Sequence, residues 1–212
     1  MTFDFSLAIH ILPLLLRGLV ATLEVTVAGF AVALVGGLVL VLGLRAHWFI
    51  ARCIVEFLRN TPLLVQLYFL FYGLPLSGIR LSAMATGIFG LGIYYSAYIA
   101  EVYRGGVDAV PAGQWDAARA LGFSRMQTWR RIILPQAVPP LIPVLGNYLI
   151  GMFKETPLLA VITIPELLSA ARQVTGMTYR YTEPYTMVAL IFLAISCFAS
   201  LFFRKLERHA HH

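Results

Sequence analysis

The ionisable side chains that this chain sets inside an apolar run are the first candidates for chemistry. Phe153-Lys154-Glu155-Thr156-Pro157-Leu158 puts a cation beside an anion in a stretch that opens at Pro139-Pro140 and is otherwise largely hydrophobic. Counted from Pro140, Lys154 lies about 21 Å along a helix, which places both charges within a hydrocarbon layer ~30 Å thick. Charges at that depth are costly and usually face a cavity or a partner. Neighbouring helical residues point about 100° apart, so Lys154 and Glu155 do not simply neutralise one another. A cation for a carboxylate and an anion for an ammonium is the pair that a zwitterionic solute requires. Pairing of each charge with another span is the structural alternative. Pro157 removes a backbone donor and disfavours helical geometry at Thr156, as in the broken helices that line aqueous paths. Thr156, Asn147, Tyr148 and Gln66 add polar groups to the same candidate path, although Asn and Gln also serve to tie spans together.

The second candidate is a polar break, Asp116 to Pro135, reading DAARALGFSRMQTWRRIILP. Gly113 to Leu121 suits a helix with an apolar face of Ala117, Ala118, Ala120 and Leu121. Gly122 supplies a left-handed stop. Met126, Trp129, Ile132 and Ile133 then recur at helical spacing beside Arg125, Arg130 and Arg131, and Pro135 is expected to close the segment. Two short helices with a glycine elbow form a stiff, charged knob; an ordinary basic cytoplasmic loop is the bland alternative.

Other chemistries lack their residues. Gly146 and Gly151 have the separation of a phosphate-binding loop, but Met152 stands where Lys is required. Gly87, Gly90 and Gly92 follow no strand and read as close packing between spans. Cys53 and Cys197 have no spacing partner, so neither a disulfide framework nor a metal site is indicated. No nucleophile with a base appears inside the apolar runs, as an intramembrane hydrolase would need.

These candidates must be positioned by membrane spans. Hydrophobic residues are 59% of the 212 and charged residues 12%, against about 25% charged in soluble domains. That length holds roughly five or six spans in one domain. The net charge of +6 is a topology signal rather than a sign of nucleic-acid binding. The start resembles no cleavable leader, having Asp4 where a basic region belongs. Residues 1–17 read as an interfacial segment, since the run Phe5–Leu16 is short and interrupted by Pro13. Spans are expected over about Gly18–Leu44, Asn60–Leu76, Leu81–Tyr103, Pro140–Ile162 and Pro184–Phe203. A loop over 104–138 and a tail over 204–212 would be cytoplasmic. The closing His209-Ala210-His211-His212 is given no chemistry, and Ile164–Glu183 reads as an external loop with a short helix. Arg45, Arg52, Arg59, Arg104, Arg119, Arg125, Arg130, Arg131, Arg204, Lys205 and Arg208 are most of the 16 basic residues, and all fall inside if the N-terminus is outside and the C-terminus inside.

The spacing Asp116-Ala117-Ala118, three residues, Gly122, nine residues, Ile132-Ile133-Leu134-Pro135 resembles the cytoplasmic signature loop of bacterial ABC importer permeases, E-A-A…G…I-x-L-P, with Asp in place of Glu. FLRNTPLLVQ from Phe57 and SAYIAEVYRGG from Ser96 are similar to stretches of the polar-amino-acid branch. The usual K-D-T-S-L of that branch here reads Lys154-Glu155-Thr156-Pro157-Leu158. The resemblance implies an all-α integral membrane protein with the type I importer permease fold and about five spans, in a bacterial inner membrane. It implies coupling through Asp116, Ala117, Ala118, Gly122, Arg125, Ile132, Leu134 and Pro135 to a cytoplasmic ATP-binding subunit. ATP and Mg would be used there, with no cofactor on this chain. A solute-binding protein outside and a second permease, itself or a sister chain, would complete the machine. The solute class would be polar amino acids or related zwitterions, with opines and ectoine-like compounds also open. An ion-gradient-driven secondary transporter or channel is the alternative; its inverted repeat with paired broken helices is not found, since the Lys154 region has no second copy.

Overall fold

In lipid every backbone N–H and C=O must be satisfied within the protein, which leaves helices as the natural solution for so apolar a chain. The computed structural model describes the backbone over residues 3–210 and the side chains over residues 3–205, and every regular element among them is helical. Of the two terminal segments read from sequence, Met1, Thr2, His211 and His212 lie outside the described residues.

Helix α1 spans Phe5–Arg45 and is followed by α2, Phe49–Asn60. α3, Leu63–Tyr68, runs on through a π turn at Phe69–Gly73 and a 3-10 turn at Leu74–Ser77. α4 covers Ala83–Asp108, α5 Ala112–Ala120 and α6 Arg125–Thr128, which passes through a second π turn, Trp129–Ile133, into α7, Leu134–Ala137. α8 covers Leu141–Glu155 and tightens into a 3-10 segment, Thr156–Ile162, before α9, Leu167–Thr178, and α10, Thr182–Ala210. Three helices, in α1, α4 and α10, are long and apolar enough to cross a membrane alone. Two bent pairs are apolar enough when taken together, which allows up to five spans: α2 with Leu63–Ser77 at 106°, and Arg125–Ala137 with Leu141–Ile162 at 61°.

The structure corrects two sequence expectations, both at prolines. Residues 1–17 were to form a segment separate from the first span, but α1 is one helix of 41 residues with Pro13 inside it. The turn around Pro13 is held by packing: Ile11 and Leu15 are buried against Leu167, Ala171 and Val174 of α9 and Val188 of α10. Asp4 caps the start, accepting from the Ser6 and Leu7 amides at 2.9 and 3.1 Å. Pro135 does not close its segment either. It occupies the first turn of α7, where a missing N–H costs least, and the bend falls at Pro139-Pro140 instead.

The seam between α1 and α4 is a close one, built on glycines from both helices. A Cβ on Gly37 would lie 2.6 Å from Ile99 Cγ2, one on Gly92 would lie 2.6 Å from Val32, and one on Gly36 would lie 2.9 Å from Ser96 Cβ. Small residues let the two backbones approach, and dispersion contacts then do the work that the hydrophobic effect cannot do between helices in lipid. On the far side of this seam Val25, Leu67, Leu91, Ile99, Met152 and Leu159 form the buried core shared with α3 and α8. The outer end is tied by charge: the Asp4 amide donates to Glu183 at 2.9 Å, and Arg180 pairs with both Asp4 and the buried Glu183.

Replacing Gly92 by Val should destabilise the fold by about 1–3 kcal/mol through overpacking. Gly105→Ala, where an added methyl meets nothing within 4 Å, should leave stability unchanged or raise it by up to ~1 kcal/mol. Unfolding in graded SDS, followed by circular dichroism, compares the two.

Candidate functional site

The expected left-handed stop is built as read. Gly122 has φ +72°. Its N–H donates to the Arg119 carbonyl at 3.0 Å, and the Phe123 N–H donates to the Ala118 carbonyl at 3.0 Å. This paired closure satisfies the last carbonyls of α5 and needs a residue free of Cβ strain at its centre. Two residues on, Ser124 starts α6 with a capping box: its Oγ accepts from the Gln127 N–H, and the Gln127 side chain accepts from the Ser124 N–H. The Ser-x-x-Gln spacing carries that signal in the sequence.

The hairpin so formed presents Asp116, Ala117, Arg125, Leu134 and Pro135 to the surface, with Ile132 half-buried and Ala118 fully buried inside. Asp116 pairs with Arg119 one turn on. Leu121 and Met126 are 71% and 66% exposed at the tip. Beneath it Val110, Ile133 and Ala137 form a small core with Trp115 and Trp129, whose rings meet edge to face at 5.4 Å. The residue that fastens this core to the first span has no local signal in the sequence. Arg45, at the end of α1, lies over the Trp129 ring at 5.6 Å and bonds Asp108 of α4 at 3.0 Å. Its place after the twenty-residue apolar run Val25–Leu44 marks it only as a topology signal. Beside it Glu101 holds Arg59 and Arg104, which ties α2 to the inner end of α4.

The second group of predicted residues divides. Glu155, half-buried at the end of α8, accepts from the Tyr95 hydroxyl at 2.9 Å. It lines an open cavity of about 510 Å³ between α4 and α8 together with Tyr94, Tyr95, Tyr98, Asn147 and Tyr148. Lys154, the residue before it, is exposed, and no partner is found for it among the described residues. Thr156 is buried, and its hydroxyl donates to the Phe153 carbonyl at 2.7 Å as the helix tightens. It shapes the break and does not line the cavity. Gln66 is elsewhere: its amide donates to the Leu58 carbonyl at 3.1 Å and to the Thr61 hydroxyl at 2.6 Å, holding the elbow between α2 and α3. The signal for this wall in the sequence is Tyr94, Tyr95 and Tyr98 close together in one span.

On the outer side Glu166 caps α9, accepting from the Leu168 and Ser169 amides at 2.7 and 2.6 Å. Burial pushes its carboxyl up against the pull of those donors. No cluster of metal-ligating side chains appears among the described residues.

Two charged ends joined by a 41-residue helix, a kinked hairpin at one of them and a tyrosine-walled cavity between are the parts of a transport subunit. Residues 45–212 match the family described as binding-protein-dependent transport system inner membrane component. The chain belongs to that family. The permease is 46% identical to a probable amino-acid ABC transporter permease of Sinorhizobium fredii, over 96% of this chain and 90% of the relative. It is 35% identical to the glutamine transport system permease of Escherichia coli, over 98% of each chain. A crystal structure of an amino acid ABC transporter with histidines superposes with a TM-score of 0.92 at 36% identity, covering 99% of the permease and all of that chain. An inward-facing methionine ABC transporter, at 19% identity and a TM-score of 0.74, shares the fold. The permease is therefore an inner-membrane, all-α transport component of the type I importer fold and not an enzyme.

Removing the Arg45 guanidinium cuts the one side chain that reaches from α1 to both Asp108 and Trp129. Arg45→Ala should speed amide exchange across 112–137 by about fivefold, the equivalent of ~1 kcal/mol for a partly exposed pair plus a cation–π contact. Hydrogen–deuterium exchange by mass spectrometry reads this directly, and unchanged protection would remove Arg45 from the hairpin's support.

Proposed function

We propose that the permease couples ATP hydrolysis in a cytoplasmic partner to movement of a small zwitterionic solute through the cavity between α4 and α8. The observation that carries this reading is the hairpin α5–α6. It is stiffened at Gly122, exposed along Asp116, Ala117 and Arg125, and joined by Arg45 to the end of α1 farthest from Asp4. A surface of this kind suits a docking ATPase: rigid enough to transmit a push, charged enough to be gripped. ATP and Mg would act on that partner. A soluble binding protein would deliver solute to the opposite face, near α9 and the Asp4–Arg180–Glu183 cluster. A second permease, identical or a sister chain, would complete the pathway.

The amino-acid relatives support the solute class, as does the chemistry of the cavity. Glu155 supplies the anion in its wall, and the exposed cation Lys154 precedes it in the chain without lining the wall. Asn147 adds an amide within reach of the same space. Of the residues first assigned to the path, Gln66 and Thr156 shape the helix bends that frame it. In the working cycle ATP-driven closure of the partner moves the hairpin as a lever, and the populations of outward- and inward-open forms shift with it.

Uptake into vesicles that requires both internal ATP and an added ATPase subunit supports this assignment, whereas ATP-independent flux would overturn it. Within the working system, Gly122→Val should lower transport per ATP by about tenfold, because a β-branched residue at φ +72° is strained by roughly 1–2 kcal/mol. Gly122→Asn should retain most coupling, since Asn tolerates the left-handed region. Equal transport by the two variants would show that the elbow geometry does not matter.

A further inference from the structure

The cavity between α4 and α8 carries a charge imbalance. Among the described residues Glu155 is the only formally charged one lining it, set in a wall made of Tyr94, Tyr95, Tyr98 and Tyr148. The four rings form one continuous surface, with centroids 5.2 Å apart for Tyr94–Tyr98, 6.2 Å for Tyr95–Tyr148 and 6.1 Å for Tyr98–Tyr148. Most of their hydroxyls are already engaged. Tyr95 donates to Glu155 at 2.9 Å, and Tyr94 and Tyr98 share a bond of 3.0 Å. With those groups committed, ring surface is the main thing the wall offers a solute. One of these rings already attracts a cation: the Arg59 guanidinium sits 5.7 Å from the Tyr98 ring centre.

A compact ammonium sheds its hydration only where several strong acceptors replace it, and of the lining side chains only the Glu155 carboxylate and the Asn147 amide oxygen accept more strongly than a phenol oxygen. A cation whose charge is spread over a ring or shielded by methyl groups is weakly hydrated, and aromatic faces beside a carboxylate stabilise it through the ring quadrupole. We propose that this cavity selects zwitterions whose positive end is a methylated or delocalised cation, such as a quaternary ammonium or amidinium, with Glu155 and the tyrosine wall as the specificity-determining residues. This rests on the reading of the cavity as the solute path. Glu155 counters the charge, the rings of Tyr98 and Tyr148 cover its faces, and the solute's carboxylate projects beyond the wall.

The test uses the assembled permease and ATPase without the soluble binding protein, whose own selectivity would mask that of the membrane site. Calorimetric titration with glycine betaine, ectoine and glutamine should show the first two binding about tenfold tighter than the third. Glu155→Gln and Tyr148→Leu should each weaken glycine betaine at least about fivefold, while Tyr148→Phe, which keeps the ring, retains it. Size-exclusion profiles check that each variant is assembled. Glutamine binding as tightly as glycine betaine, no binding of either cationic probe, or full binding by Glu155→Gln would overturn the proposal. Gly151→Trp, which fills the cavity beside Tyr95, separates this failure from a wider one. Loss of all uptake in that variant, with glutamine preferred by the parent, sinks the cation class alone. Normal uptake in Gly151→Trp sinks the solute path and the proposal together.

Discussion

The close approach of α1 and α4 is the constraint on which the rest of the permease depends. Between helices in lipid there is little hydrophobic gain from association, so contact must come from dispersion at short range. Gly36 and Gly37 on one helix and Gly92 with Ser96 on the other provide that range. Once the seam is set, α4 presents Leu91, Tyr95 and Ile99 to the common core with α3 and α8. The inner end of α1 then falls beside Asp108, and the ion pair through Arg45 follows from the seam rather than creating it. A partly exposed pair of this kind contributes little by itself. Its use is geometric, because the same guanidinium covers Trp129 and so registers the hairpin against the first span.

The break at the end of α8 is the second expense the fold accepts. Pro157 forces the helix to tighten at Thr156, and the Thr156 hydroxyl bonds the Phe153 carbonyl as the pattern changes. The same turn holds Lys154 and Glu155. A carboxylate at this depth needs a donor, and Tyr95 supplies one from α4. Gly151, one turn earlier on α8, has no side chain to crowd that hydroxyl; an added Cβ would lie 3.3 Å from it. A helix break, a glycine and a tyrosine on a neighbouring helix thus act together to keep one charged group in an aromatic wall with its other acceptor sites available.

Much of this was legible in the chain before any coordinates. The apolar runs gave the spans, and the spacing from Asp116 to Pro135 gave the hairpin with its glycine stop, because both are local properties. What was not legible was set by contacts distant in sequence. Pro13 reads as a breaker, yet Leu15 is buried against α9 and α10 and the helix continues. Pro135 reads as a terminator, yet a π turn before it lets the helix run on to Ala137. Gln66 is a polar residue in a span like any other until the bend at Thr61 brings Leu58 within reach of its amide. Arg45 and Trp129 are more than eighty residues apart, and no periodicity links them. Even the tyrosine wall needed α8, since Tyr148 joins the three of α4 only across the cavity.

Chain order joins the two candidate sites more directly than any network of contacts. The cavity has α4 for one wall and α8 for the other, and the segment connecting those two helices is the hairpin itself. α4 runs from Tyr95 to Asp108 without interruption, a stiff rod of about 20 Å. On the return, α7 meets α8 at Pro139-Pro140, where the backbone bends by 61°. A rigid hairpin held to α4 by the Val110–Ile133 core and joined to α8 through a bend at two prolines cannot rotate without changing the angle between the cavity walls. Under the proposed coupling, a docked ATPase therefore needs no pathway of relayed side-chain shifts to reach the solute. It moves the connection between the two helices that hold it, and the bend lies on the α8 side, where Glu155 is carried.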